Sequence, residues 1–125
     1  MKVLIIGGVA AGTKAAAKLK RENQDAEVTI VTMSKDISYA GCGLPYYVGG
    51  VIQERSGLIV NTPENFSKLT GALVETGVEV TGLDRENRSV KAVRTDTGEE
   101  TCYTYDKLVI ATGASPVRPP VEGVD

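Results

Sequence analysis

A cysteine set between two glycines, and a glycine-rich loop near the N-terminus, are where this sequence holds reactive potential. The loop is Gly7-Gly8-Val9-Ala10-Ala11-Gly12, directly after the apolar run Val3-Leu4-Ile5-Ile6. Glycines here allow a tight turn and let the backbone approach a pyrophosphate, while N–H groups opening a following helix face the anion. The dinucleotide fingerprint wants glycine at the first, third and sixth positions. This chain has Gly7, Val9 and Gly12, so the middle one is missing. The fingerprint also wants an acid about 20 residues further on, to hold ribose hydroxyls, and Thr32 stands there instead. Thr32 and Ser34 offer hydroxyl contacts in its place. A tight strand-to-helix turn without a nucleotide is the plainer alternative.

The cysteine lies in Ser38-Tyr39-Ala40-Gly41-Cys42-Gly43-Leu44-Pro45-Tyr46-Tyr47. Flanking glycines open the sulfur to reagents, and a helical turn starting near Gly43 would favour the thiolate. Cys102 is the other cysteine and lies far along the chain. A lone accessible thiol cycles through a mixed disulfide, a persulfide or a sulfenic acid. The plain alternative for Cys42 is an inert small residue in a turn, and Cys102 reads as structural. With no histidine in the chain, His acid–base catalysis and His metal ligands are excluded, and no metal site is expected.

Both stretches need elements to hold them. Residues 1–6 read as a buried parallel strand, 9–22 as a helix and Glu27–Thr32 as a second strand, a βαβ unit. Residues 33–50 read as turn-rich and carry Cys42. Thr62-Pro63-Glu64 is a helix start, with Thr as cap and Pro in the first turn, and the helix runs to about residue 69. Residues 78–83, Ser89–Arg94 and 100–105 have β-rich composition between turn signals and form an antiparallel meander. Residues 108–111 (LVIA) form a further short strand ending at Thr112-Gly113-Ala114. The expected fold is α/β, a Rossmann-like parallel sheet with an antiparallel three-stranded β-meander. The Pro-rich tail, 115–125, reads as a linker to more protein.

Composition narrows the classes further. At 42% hydrophobic and 24% charged residues, the 125-residue chain has the make-up of a folded domain, not a disordered one. A net charge of −2, a single Phe and no Trp argue against nucleic-acid partners. No apolar run nears the roughly 20 residues of a membrane span, and the N-terminal run is too short for a signal peptide. Two unpaired cysteines suggest the reducing cytoplasm.

Together the motifs resemble the N-terminal part of the single-cysteine pyridine nucleotide-disulfide oxidoreductases, and within them the coenzyme A-disulfide and persulfide reductase branch. IIGGVAAG at 5–12, SYAGCGLPYY at 38–47, TPENF at 62–66 and YDKLVIATGASP at 105–116 carry the resemblance. It implies that residues 1–114 are the N-terminal part of a discontinuous FAD-binding domain and that 115–125 lead towards an NAD(P)-binding domain. By position, Gly7, Gly8, Ala10, Ala11 and Gly12 match the loop around the FAD pyrophosphate. Thr32 stands at the ribose acid's place, Val80 where a backbone meets the adenine, and Ala111, Thr112 and Gly113 in a second flavin-contacting turn. Cys42 matches the redox cysteine. The implied cycle passes electrons from NAD(P)H through FAD to sulfur, and the Cys42 thiolate attacks a small-molecule disulfide or persulfide. Ser38 and Arg21 match positions near bound coenzyme A, and Lys14 and Lys18 on the same helix would help with its phosphates. A solvated helix face is the plain alternative for these cations. The resemblance also implies a homodimeric parent. The chain departs from the family at Thr32, at Gly41 where Asn is usual, and at Tyr39 where Phe is usual. An NADH oxidase or peroxidase cycling Cys42 as a sulfenic acid is a second reading, although the Leu44-Pro45-Tyr46-Tyr47 run favours the disulfide branch. A non-catalytic nucleotide-binding module is a third.

Overall fold

Val3, Leu4 and Ile5 leave a strand no polar face, so it must be covered on both sides. In the computed structural model, which describes residues 1–124, all three are buried. They belong to β1 (Lys2–Ile6), inside a parallel sheet of order β3-β2-β1-β7 completed by β2 (Glu27–Thr32), β3 (Leu73–Thr76) and β7 (Lys107–Ile110). Ile5 lies opposite Ile30 on one side and Val109 on the other. Val3, Ile5, Val28 and Ile30 form one core with Ala16 and Phe66, which belong to the helices α1 (Ala10–Glu22) and α3 (Pro63–Thr70). Leu4 and Val31 form a second core with Val78, Val90 and Ala92. These last come from an antiparallel meander, β4 (Val78–Asp84), β5 (Ser89–Arg94) and β6 (Glu100–Thr104). The period-two alternation of the strands thus sends neighbouring residues to opposite layers.

Local chemistry explains the remaining elements. Thr62 caps α3 by accepting a hydrogen bond from the Asn65 N–H at 3.2 Å, with Pro63 as first residue. α1 buries Gly12, Thr13 and Ala16, small residues that let a helix lie close to a sheet. Gly12 has no spare room, since a Cβ there would collide with the Gly7 carbonyl. Gly7 has φ +112°, and a Cβ on it would collide with the Ala111 carbonyl. The loops after β1 and β7 therefore meet backbone to backbone.

The sequence leads one to expect no strand over 70–77, yet β3 lies there, paired parallel to β2 from Thr29↔Leu73 to Thr32↔Thr76. Its four residues, LVET, make a run too short to stand out in the sequence, and the pairing with β2 completes the strand. Residues 33–50 are turn-rich, and a helical turn does begin near Gly43. They hold a 3-10 turn at Gly41–Gly43 followed by the short helix α2 (Leu44–Val48). A second 3-10 turn spans Arg55–Leu58. Residues 111–124 contain no helix or strand. Among the described residues no helix is long and apolar enough to cross a membrane.

A polar clip joins the meander to the parallel sheet. Tyr103 donates to the Glu75 carboxylate at 2.6 Å, and the Arg94 guanidinium lies 3.6 Å from the same oxygen. Burial, and then the neighbouring Glu75, push the Tyr103 hydroxyl up to about 12. The folded state therefore holds this proton more tightly than the unfolded chain, and the associated stability is full below pH 10 and lost as pH rises through about 12. With solvent screening of this half-exposed side chain, that amounts to about 1 kcal/mol.

Urea unfolding at a series of pH values should show the Tyr103→Phe variant losing less stability than the parent between about pH 10 and about pH 12. Equal losses would remove Tyr103 as the source. The same assay separates two glycines. Gly7→Ala should cost about 2–4 kcal/mol, from clash and a left-handed φ. Gly41→Ala, where a Cβ meets nothing within 4 Å, should stay within about 0.5 kcal/mol.

Candidate functional site

The parallel strands β1, β2 and β7 all end at the same edge of their sheet. β1 leads through α1 to β2 on one side, while β7 lies on the other. Strand order thus reverses between β1 and β7, and the crevice outside the carboxyl ends at such a point is where open α/β sheets bind ligands. A cleft of about 510 Å³ lies there. Gly7 and Gly8 line it beside Thr32 at the end of β2. Val80 of β4 and Ala111, Thr112 and Gly113 after β7 complete the wall.

The residues present fit the pyrophosphate of a dinucleotide. A Cβ on Gly8 would lie 2.8 Å from Ile37 Cγ2, so the loop is packed tightly from behind. α1 opens at Val9 with no side chain bonded to its first N–H groups, which leaves those donors for an anion. Ala10 and Ala11 are exposed at this end, and their small side chains keep the approach open. The expected residues Gly7, Gly8, Thr32, Val80, Ala111, Thr112 and Gly113 therefore share one cleft. Ala10, Ala11 and Gly12 stand in the first turn of α1 without lining it.

Thr32 is buried, and its methyl lies 3.1 Å from where a Gly8 Cβ would be, so it serves as packing for the glycine loop. Glu79 is the only acidic residue among those lining the cleft. Together with Met33 and Val78, it was not singled out by the sequence. Glu79 had no local signal, because β4 reaches the cleft by way of β3, the strand that sequence pattern misses.

The cysteine segment is tied to this cleft by backbone. The Ser38 N–H donates to the Gly8 carbonyl at 2.9 Å. Ser38 itself has φ 51°, a left-handed conformation unusual for serine, and its carbonyl accepts from the Val60 N–H at 3.2 Å. Tyr39 bridges antiparallel to Ile59, and the Ala40 N–H donates to the Leu58 carbonyl at 2.8 Å. The chain then enters the 3-10 turn holding Cys42, which is exposed. Cys42 does not line the cleft, but its loop is anchored on the cleft's own glycines. Cys102 is also exposed, opposite Lys91 on the meander, so it is not a core residue. It lines a separate groove of about 320 Å³.

Lys14, Lys18 and Arg21 are spaced four and three residues apart, so they share a face of α1. The helix starts at the cleft and runs about 20 Å away from it. None of the three lines the cleft. Lys18 pairs with Glu22 at 2.6 Å and, by donating to it, holds that carboxyl below its ordinary range. Among the described residues no cluster of His, Cys, Asp or Glu is placed to hold a metal.

Comparison with known proteins agrees with this geometry. The family model described as pyridine nucleotide-disulphide oxidoreductase matches residues 1–125. A Methanocaldococcus jannaschii protein named NADH oxidase is 38% identical over 125 residues, covering 100% of this chain and 28% of its own. A coenzyme A disulfide reductase of Staphylococcus haemolyticus is 34% identical over 113 residues, covering 90% of this chain and 26% of its own. Among solved structures, the NAD-dependent persulfide reductase from A. fulgidus superposes with a TM-score of 0.91 at 44% identity, covering 100% of this chain and 24% of its own. The chain thus spans about a quarter of the length of these relatives. A switch-point cleft floored by glycine, a cysteine loop bonded to it and a family match along the full length agree, and the chain belongs to the pyridine nucleotide-disulphide oxidoreductase family.

Proposed function

We propose that this chain is the FAD-binding portion of an NAD(P)H-dependent flavoprotein disulfide reductase, acting within a longer parent on coenzyme A disulfide, a persulfide or a polysulfide through Cys42. The observation that carries this reading is the Ser38 N–H bond to the Gly8 carbonyl, which makes the nucleotide loop and the thiol loop one unit. Gly7, Gly8 and the first N–H groups of α1 would hold the pyrophosphate. Val80 would hold the adenine end, and Ala111, Thr112 and Gly113 the flavin end. A flavin held there would supply the electron pair, taken from a nicotinamide, that returns an oxidised Cys42 to the thiol.

Cys42 itself is the nucleophile. Its exposed thiolate attacks one sulfur of the substrate disulfide, a Cys42–sulfur bond forms as the S–S bond breaks, and the departing thiolate takes up a proton. Gly41 faces open space, which leaves the approach to the sulfur clear. The cationic face of Lys14, Lys18 and Arg21 takes the phosphates of the coenzyme A tail, and Ser38 stands where the thiol loop begins. The parent is a homodimer of a reducing, cytoplasmic compartment.

The relative named NADH oxidase supports a second reading, in which Cys42 cycles as a sulfenic acid. The mass of the Cys42 peptide from protein as isolated separates the two, by a coenzyme A adduct or one added oxygen. A non-catalytic module would show neither.

Cys42→Ser in the flavin-loaded parent should reduce disulfide-dependent NADH oxidation to background while the visible flavin band is kept. Turnover at the unsubstituted rate would sink the proposal. The 125-residue chain alone should bind FAD or ADP without sustaining NADH oxidation, read by absorbance after desalting.

A further inference from the structure

The cysteine turn is held from one side by one short segment. Residues 55–60 supply the carbonyl of Leu58 to the Ala40 N–H at 2.8 Å and the N–H of Val60 to the Ser38 carbonyl at 3.2 Å. Ile59 supplies the bridge to Tyr39. Leu58 is fully buried, and a Cβ on Gly43 would come within 2.7 Å of its Cδ2. Leu58 thus supports the chain both before and after Cys42. This pairing is a single isolated bridge with no strand on either side, which is marginal by itself. It must also hold Ser38 in its left-handed backbone, a conformation that persists only when the surroundings over-determine it.

Arg55 closes this cradle. Its Nη2 lies 3.2 Å from Asp36 Oδ2, and its guanidinium carbon lies 5.9 Å from the Tyr39 ring centroid. Asp36 is fixed in turn, its N–H donating to the Ser34 hydroxyl at 3.2 Å, and Ser34 lines the cleft. One planar cation therefore ties Asp36, itself bonded to the cleft-lining Ser34, to Tyr39, three residues before Cys42. A lysine, a compact point charge, is less suited to engage the carboxylate and the ring face together.

We propose that Arg55 is a positioning residue for Cys42: by gripping Asp36 and Tyr39 together it locks residues 36–43 onto the 55–60 cradle and fixes the thiol relative to the cleft. The proposal rests on Cys42 as the nucleophile. The Arg55 and Asp36 side chains are 64% and 27% exposed, so the contact is weak and sensitive to salt, and it governs local opening of the loop rather than the stability of the fold.

Hydrogen exchange on the full chain tests the clasp without reference to activity. In Arg55→Gln the amides of Ala40 and Gly43 should exchange about fivefold faster, a change of the size such pairs produce. Those of β1 and β2 should keep their rates. Raising salt to about 1 M should speed Ala40 and Gly43 in the parent and leave the variant unmoved, because the screened pair is already gone. In the flavin-loaded parent, Arg55→Gln should lower kcat for disulfide reduction several-fold. It should leave unchanged the KM for the nicotinamide and the reduction of ferricyanide, which needs no thiol. Unchanged exchange at Ala40 and Gly43 would overturn the clasp. Faster exchange with undiminished disulfide turnover would overturn its link to catalysis. Full disulfide turnover in Cys42→Ser would instead defeat the nucleophile assignment, and Arg55's role in catalysis with it.

Discussion

A missing side chain at Gly7 is what the rest of the structure depends on. With φ +112° and the Ala111 carbonyl where a Cβ would be, the turn after β1 and the turn after β7 share space that only backbone can fill. Hydrogen bonds close the knot: the Gly7 N–H donates to the Val31 carbonyl at 2.8 Å, and the Ala111 N–H to that of Ile6 at 2.8 Å. The ends of three parallel strands are thereby drawn together at the point where strand order reverses. Gly12 seats α1 directly behind them, so the uncapped end of the helix is carried to the same place. The Gly8 carbonyl then holds Ser38. Cleft, helix end and thiol loop thus follow from one steric fact.

Burial supplies the rigidity that such a knot needs. Ile5, Ile30, Val31 and Val90 are fully buried, each contributing about 1.5–3 kcal/mol relative to exposure. Exposed ion pairs contribute about 0–1 kcal/mol each. Apolar packing between the layers therefore sets the frame, and polar contacts adjust what stands on it. The meander shows both. Val78 and Val90 bury its inner face. The Thr95 N–H donates to the Gly77 carbonyl at 2.9 Å, at the crossing where β3 passes into β4. That crossing delivers Val80 to the cleft.

What could be read from the sequence was what the chain settles locally. The β1–α1–β2 unit needed only an apolar run, a glycine turn and a β-branched run, and Thr62-Pro63 announced α3 by its capping chemistry. The ends of β4, β6 and β7 moved by a residue, as ends set by pairing do. β3 was hidden because Leu73-Val74-Glu75-Thr76 becomes a strand through pairing with β2, and because Glu75 faces Tyr103 and Arg94 from another layer. The cleft residues flagged by motif came together, Ser34 among them, whereas Met33, Val78 and Glu79 depended on topology. The charges of α1 were legible as one face, but not that this face runs away from the cleft. Nor could spacing show that residues 55–60, distant in sequence, brace the turn of Cys42.

These differences divide the site into a part that tolerates no change and a part that does. At Gly7 and Gly12 any side chain meets backbone, whereas at Gly41, beside the cysteine, a Cβ meets nothing within 4 Å. The nucleotide end is defined by close packing of main chain, which a substitution can only damage. The thiol end is an exposed turn on one buried anchor, Leu58, and a substitution there changes what approaches the sulfur without disturbing the strands. A frame of this kind can keep its cleft while the residues around Cys42 change. Gly41 lies in the part that is free to vary, whereas Tyr39 is held by its bridge to Ile59 and by Arg55.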